Sequence, residues 1–315
     1  MQRRGIEVTD RQKLLLFFID GLGLGADNPI SNPMRDLFSD LMGGERLINR
    51  ETPLFFPNGV LVPTDALIGV PGIPQSATGQ TSLFTGINAQ RKIGRHLPAF
   101  PNIELKRLIE ERSLMKALQK KGIKTTAANL YSEEFFLKRR NSRRNLFPVS
   151  TLTIKASGCG FRYPEDYKAG RAVFADITNN LIRKRGYEIE LIQPEEAAGN
   201  MQNILSNYDF VFFEYFMTDL YGHKRNIKGL MECLDVLNRF VGSLWNTTAS
   251  VNTDILIVSD HGNAEDVSTS DHTTNKVPTL LFSRNKRNRE LFAGKVKNLT
   301  DIYYTVIEYF TDRGS

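Results

Sequence analysis

Short, largely apolar runs at 14–19, 125–129, 210–215, 255–259 and 279–282 alternate with helical patterns at 103–121, 169–184, 194–206, 227–245 and 301–310. The short runs read as strands buried on both faces. The longer ones place apolar residues at three- and four-residue intervals, and two end near Gly122 and Gly186. This alternation predicts an α/β fold, a mostly parallel sheet with helices on both faces. Ligand sites in such sheets form beyond the carboxyl ends of the strands. The unusual polar residues fall there: Asp20 follows the first run, "TDLYGH" follows "DFVFFEYFM", and "SDHGN" follows "DILIV".

With 315 residues and 41% hydrophobic content, the chain can bury a full core. The segment 131–198 differs in texture: it is basic, lacks long apolar runs and carries "ASGCGFRYPED". It reads as a small inserted cap on a core made of 1–130 and 199–315. Forty-one Lys and Arg against 35 Asp and Glu leave a net charge of +6, which suits anionic ligands. The basic run "KRRNSRR" reads as a solvated loop, and basic residues are not interleaved with aromatics as in single-strand binders, so no nucleic-acid partner is expected. Cys159 and Cys233 form no C-x-x-C pair. The opening "MQRRGIEVTDRQ" mixes charges, and the apolar run before Asp20 is too short for a signal or membrane segment. A cytoplasmic setting without a membrane partner is the expectation; oligomeric state is not legible.

The stretch "LLLFFIDGLGLGADNP" admits two readings. Gly21-x-Gly23-x-x-Ala26 fits a dinucleotide loop, which would make the chain an NAD-binding oxidoreductase. That loop needs a helix starting within it, yet Pro29 and Pro33 favour extended chain, and Asp20 would repel a diphosphate. The same carboxylate suits a metal cation.

Three of the four histidines stand beside aspartates. Asp219-x-x-x-His223 has the i, i+4 spacing of a ligand pair on one helical face, though a surface ion pair is the bland alternative. Asp260-His261 offers adjacent ligands before Gly262, and His272 lies in the polar loop "STSDHTTNKVP". The segment "GIPQSATGQTSLFTG" places Ser76 or Thr78 where a helix begins, a position that favours a phosphoryl group. Either hydroxyl needs a metal or base beside it to act as a nucleophile.

In this order, Asp20, the Ser76 to Gly79 turn, Asp219-x-x-x-His223, "SDHGNAED" and "HTTNKVP" resemble the metal-dependent alkaline phosphatase superfamily. Cofactor-independent phosphoglycerate mutase and phosphopentomutase look like the nearest branch, and a small bacterial offshoot of it fits. The resemblance runs from Asp20 to about Pro278. It implies two divalent ions, manganese or zinc first and magnesium as a further choice. It assigns Asp20, Ser76, Asp260 and His261 to one ion, and Asp219, His223 and His272 to the other. Ser76 is the implied nucleophile, through a phosphoserine, and Thr78 the reserve. The implied activity is a phosphohydrolase or phosphotransferase on a small phosphorylated metabolite, with a phosphomutase as the alternative. A non-catalytic binding protein is the alternative of another class. Arg95 and His96, with Arg91, Arg139, Arg140, Arg143, Arg144 and Arg162, are candidates for binding a carboxylate or second phosphate. Two features depart from the mutase pattern: Gln80 stands where both mutase families carry a histidine, and roughly seventy residues are available where the phosphoglycerate mutases insert a large domain. The sulfatase signature C/S-x-P-x-R is not present.

Overall fold

A computed structural model describes residues 12–140, 146–248 and 252–312. Strands β1 (Lys13–Ile19), β2 (Leu54–Phe56) and β3 (Gly59–Thr64) come first, then helices α1 (Ser76–Thr85), α2 (Ala89–Ile93), α3 (Ile103–Arg112) and α4 (Leu114–Gln119). Strand β4 (Thr125–Ala127) precedes α5 (Glu133–Arg140), α6 (Val149–Ser157), α7 (Pro164–Lys168), α8 (Asn180–Lys184) and α9 (Pro194–Asn207). Then follow β5 (Phe210–Tyr215), α10 (Met217–Gly222), α11 (Ile227–Thr248), β6 (Thr253–Val258), β7 (Val277–Phe282), α12 (Lys286–Lys295) and α13 (Leu299–Thr311).

The seven strands form one sheet in the order β2-β3-β7-β6-β1-β5-β4. Its centre, β6-β1-β5-β4, is parallel, as the alternation predicts. Every residue of β1, "KLLLFFI", is buried, because alternate side chains enter two different cores. Leu15, Phe17 and Ile19 pack with Leu237, Phe240 and Leu244 of α11 and Met201 of α9. Leu14, Leu16 and Phe18 pack with Leu83 and Phe84 of α1 and Ile302 and Val306 of α13. Each such buried side chain contributes about 1.5–3 kcal/mol relative to exposure.

The other side of the sheet departs from the expectation. β7 returns antiparallel to β6, and the unexpected hairpin β2-β3 adds two antiparallel pairings. Residues 259–276, between β6 and β7, carry no helix to make a parallel crossover. The expected helix 103–121 is two helices, broken at Ser113 (φ −49°, ψ 130°), whose hydroxyl donates to the Thr153 carbonyl. The expected helix 169–184 survives only as α8. Its first half is extended chain: Val173 exchanges backbone hydrogen bonds with Ala128 and Leu130, and the Asp176 carboxylate accepts from the Asn179 and Leu181 amides. Tertiary pairing wins there over helical periodicity. Within 131–198, Tyr131, Val149 and Ile154 join one core of the sheet, and Val173 and Ile177 the other. Among the described residues, no helix is long and apolar enough to cross a membrane.

Candidate metal centre

Parallel pairing of β6, β1 and β5 in register brings three chain exits to one edge. Ile19 lies opposite Tyr215 and Phe18 opposite Val258, so Asp20, α10 and Asp260-His261 emerge side by side. Thr218 donates to the Asp20 carbonyl, tying the first two exits together. Leu22 N–H donates to the Ser259 hydroxyl, which donates to the His261 carbonyl and ties the first to the third.

Two trios of donor atoms result. Asp20, Asp260 and His261 place one ligand atom each within 4.8 Å of one another, and so do Asp219, His223 and His272. In the first trio, His261 Nε2 lies 3.4 Å from Asp20 Oδ1, 3.4 Å from Asp260 Oδ2 and 3.0 Å from Ser76 Oγ. In the second, Asp219 oxygens lie 3.4 Å from His223 Nε2 and 3.6 Å from His272 Nε2. The His261 and His272 rings stack with centroids 3.7 Å apart, which joins the trios.

The outer contacts settle which ring nitrogens face inward. His223 Nδ1–H donates to the Ser270 carbonyl (2.8 Å) and His272 Nδ1–H to the Pro74 carbonyl (2.9 Å). A carbonyl only accepts, so both rings carry a proton on Nδ1 and turn Nε2 to the centre, 3.1 Å apart, as the nitrogen a metal would take once its own proton is displaced. Gln80 donates to Asp260 (3.0 Å) and Asn263 to Asp219 (2.7 Å), fixing both carboxylates.

The charge state fits a cation. Burial, reinforced by Asp260, Asp219 and Glu214, pushes the Asp20 pKa well up. Burial raises Asp260 to about 7 against the Gln80 hydrogen bond. Burial, reinforced by the neighbouring His272 ring, lowers His261 to about 3 and leaves it neutral. Burial would raise Asp219 too, but hydrogen bonds from His223 and His272 outweigh it and hold Asp219 below the ordinary carboxylate range. The hydrogen bond to Asp219 raises His223 to about 9. Asp20 Oδ1 and Asp260 Oδ1 are buried with no hydrogen-bond partner. Unpartnered carboxylate oxygens beside neutral imidazole form a donor set suited to divalent ions.

Ser76 opens α1, and its hydroxyl points into the first trio. Thr78 does not: it is buried, donating to the Gln75 carbonyl and accepting from Leu97 N–H. That bond holds the loop of Arg95 and His96 against the start of α1. Arg95 is exposed, while His96 Nε2 lies 3.0 Å from the Val70 carbonyl. Arg162 is structural, with buried bonds to Ala127 and Thr126, and Arg139 stacks on Phe135. Arg91 is exposed. Arg143, Arg144 and the Arg140 side chain lie outside the described residues.

Sequence reading missed Glu265, although it stands in "SDHGNAED". Its buried carboxylate accepts from Gly23 N–H (3.0 Å), Asn263 N–H (2.7 Å), Asn275 Nδ2 (3.1 Å) and the Thr273 hydroxyl. The glycines after Asp20 serve this clip. A Cβ at Gly23 would strike the Glu265 carboxylate, and Gly21 adopts φ +69° against Asp219. Residues 21–50 contain no helix, which removes the dinucleotide-loop reading. Gly262 is equally constrained, its absent Cβ pointing at Glu265 and Thr273. Gly262→Ala is expected to lower unfolding stability by about 2 kcal/mol through overpacking; an unchanged denaturant midpoint would contradict this packing.

Residues 185–312 match the family model described as Metalloenzyme superfamily. That segment holds Asp219, His223, Asp260, His261 and His272, while Asp20 and Ser76 lie outside it. The chain is 30% identical over 132 residues to a 2,3-bisphosphoglycerate-independent phosphoglycerate mutase of Prochlorococcus marinus, covering 36% of this chain and 24% of that one. The same-named enzyme of Antithamnion sp. is 25% identical over 147 residues, covering 43% and 29%. The matched part thus spans about a quarter of these mutases. Among solved structures, a protein of Pyrococcus horikoshii superposes with a TM-score of 0.57 at 16% identity, covering 97% of this chain and 98% of its own. The alkaline phosphatase from the Antarctic bacterium TAB5 gives 0.53 at 13% identity, covering 96% and 99%. The fold is therefore alkaline phosphatase-like.

Proposed function

We propose that this chain is a two-metal phosphohydrolase or phosphotransferase acting on a small phosphorylated metabolite, with Ser76 as nucleophile. The observation that carries the reading is the Ser76 hydroxyl 3.0 Å from His261 Nε2, at a helix start, where the two ligand trios meet. Asp20, Asp260, His261 and Ser76 would hold one divalent ion, and Asp219, His223 and His272 the other; manganese or zinc suits this mixture best. Bound ions supply a lowered pKa for the Ser76 hydroxyl and charge neutralisation on the transferring phosphoryl oxygens.

The chain's own residues do the positioning. The start of α1 presents Ser76 and a helix dipole to an anionic group. Gln80 and Asn263 hold the carboxylates against rotation. The phosphoryl group would pass from the ester oxygen to Ser76, releasing the alcohol, and then from Ser76 to water, or in the mutase reading to a second hydroxyl, restoring the serine. The similarity of part of the chain to phosphoglycerate mutases favours keeping that second reading. We include in the proposal a small inserted cap at 131–198 and a cytoplasmic setting, the latter supported by the free thiols Cys159 and Cys233.

Release of inorganic phosphate from sugar phosphates, phosphoglycerates and an aryl phosphate tests the reading, on protein stripped and reloaded with Mn, Zn or Mg. Metal-dependent release supports it. Two bound ions without release point to the mutase reading, and failure to bind any ion refutes both. Proton competition gives a further expectation. Asp219 keeps His223 protonated at pH 7, with a pKa of about 9, so a cation taking its Nε2 displaces that proton. Apparent Mn affinity is expected to rise by about tenfold per pH unit between roughly pH 7 and 9, then level off. Calorimetric titration across that range checks it, and a flat profile contradicts it.

A further inference from the structure

A groove of about 610 Å³ is lined by Ile30, Lys224, Arg225, Ile227, Val267 and Ser268. Its volume lies in the range of small-molecule sites. Both walls lie next to the second trio in sequence. Lys224 directly follows His223, and Ser268 stands two residues before Ser270, whose carbonyl holds His223 Nδ1.

The chemistry of the walls is specific. Lys224 is exposed, and its ammonium has no hydrogen-bond or ion-pair partner among the described residues. Arg225 is held at φ +50° by its N–H bond to the Gly222 carbonyl, and its Nε donates to the Val267 carbonyl (2.8 Å). Its terminal guanidinium nitrogens are left without a bond among the described residues. A left-handed arginine directly after a metal-ligand turn costs about 1–3 kcal/mol of backbone strain, and such residues cluster at ligand clamps. The nearby acid Asp266 accepts from Ser268 N–H and makes no ion pair with Lys224 or Arg225 among the described residues. In the same groove, Ile30 (80% exposed) and Ile227 (49% exposed) present aliphatic surface to water.

We infer that this groove is the subsite for the alcohol part of the substrate: a short aliphatic chain over Ile30 and Ile227, ending in an anionic group held by Lys224 and Arg225. The substrate class is then a phosphate monoester with a second, distal anion, carboxylate or phosphate. This assignment rests on the phosphoryl-transfer reading above and makes Lys224 and Arg225 specificity-determining residues. A guanidinium beside an ammonium accepts either anion, so the two distal groups are separated by experiment.

The test is calorimetric titration of the Mn-loaded protein with methylphosphonate, phosphonobutyrate and butane bisphosphonate. At least one of the two-anion probes is expected to bind about tenfold or more tighter than methylphosphonate, the stronger identifying the distal group. In K224Q/R225Q that advantage should disappear, and in R225K, which keeps the charge, it should survive in part. Equal affinity for all three probes in the unmodified protein, or an advantage that persists in K224Q/R225Q, overturns the subsite. Turnover of an aryl phosphate, which has no distal anion, reports separately on the reaction. No turnover with the probe advantage intact removes the reaction and keeps the groove; turnover without the advantage removes the groove alone.

Discussion

Replacing Ser76 by alanine is expected to lower metal-dependent phosphate release by about three orders of magnitude or more, the scale set by removing a covalent nucleophile. Ser76 Oγ lies 3.0 Å from His261 Nε2 and shares that point with Asp20 and Asp260. Thr78, two residues on, cannot take over without breaking its bonds to Gln75 and Leu97 and turning out of the core. The matching control, Thr78→Val, should therefore alter stability rather than the chemical step. Initial rates with saturating Mn decide the matter, together with a search for phosphate trapped on residue 76 by mass spectrometry. Activity in S76A within a few fold of the parent would reject Ser76 as nucleophile.

The second large effect is expected at Glu265. Its Oε2 accepts two buried backbone amides, Gly23 and Asn263, and its Oε1 accepts the half-buried Thr273 hydroxyl and Asn275 side-chain amide. Glutamine conserves the shape but carries only one oxygen, so an NH2 group must face donors on one side. Leaving buried donors unpaired costs about 1–3 kcal/mol each, and Glu265→Gln is expected to lose roughly 2–4 kcal/mol. At this chain length that lowers the melting temperature by roughly 3–6 °C. Thr273 adjoins His272, and Asn263 holds Asp219, so metal affinity should fall with it, by about 10–100-fold. Calorimetric melting and Mn titration read both effects. A melting temperature within a degree or two of the parent would show that the clip does not organise the centre.

Much of this arrangement is legible in the chain itself. A continuous apolar run such as "KLLLFFI" has one low-energy solution, a strand covered on both faces, and the polar residue that ends it must lie at the sheet's edge. Asp20, Asp219, His223, Asp260, His261 and His272 are therefore identifiable as candidates from strand ends, spacing and order. The helix break at Ser113 is not, because the pull of the Thr153 carbonyl comes from forty residues away. Nor is the extended chain around Val173, where pairing with Asn129 overrides a helical pattern. The hairpin of β2 and β3 escapes for a related reason: its residues become strand through pairing with β7, which is distant in sequence.

What the sequence by itself determined is the inventory of donors, the central strands and the side of the sheet on which the donors emerge, since these follow from local periodicity and polarity. Only the tertiary structure decided the rest. The strand order β6-β1-β5 makes two trios out of scattered residues. Long-range carbonyls at Ser270 and Pro74 turn His223 and His272 inward, and the start of α1 aims Ser76 rather than Thr78 at the centre. Glu265 acquires its role only once three loops meet around it. The direction of a side chain is set by its packing neighbours, and here those neighbours come from distant parts of the chain.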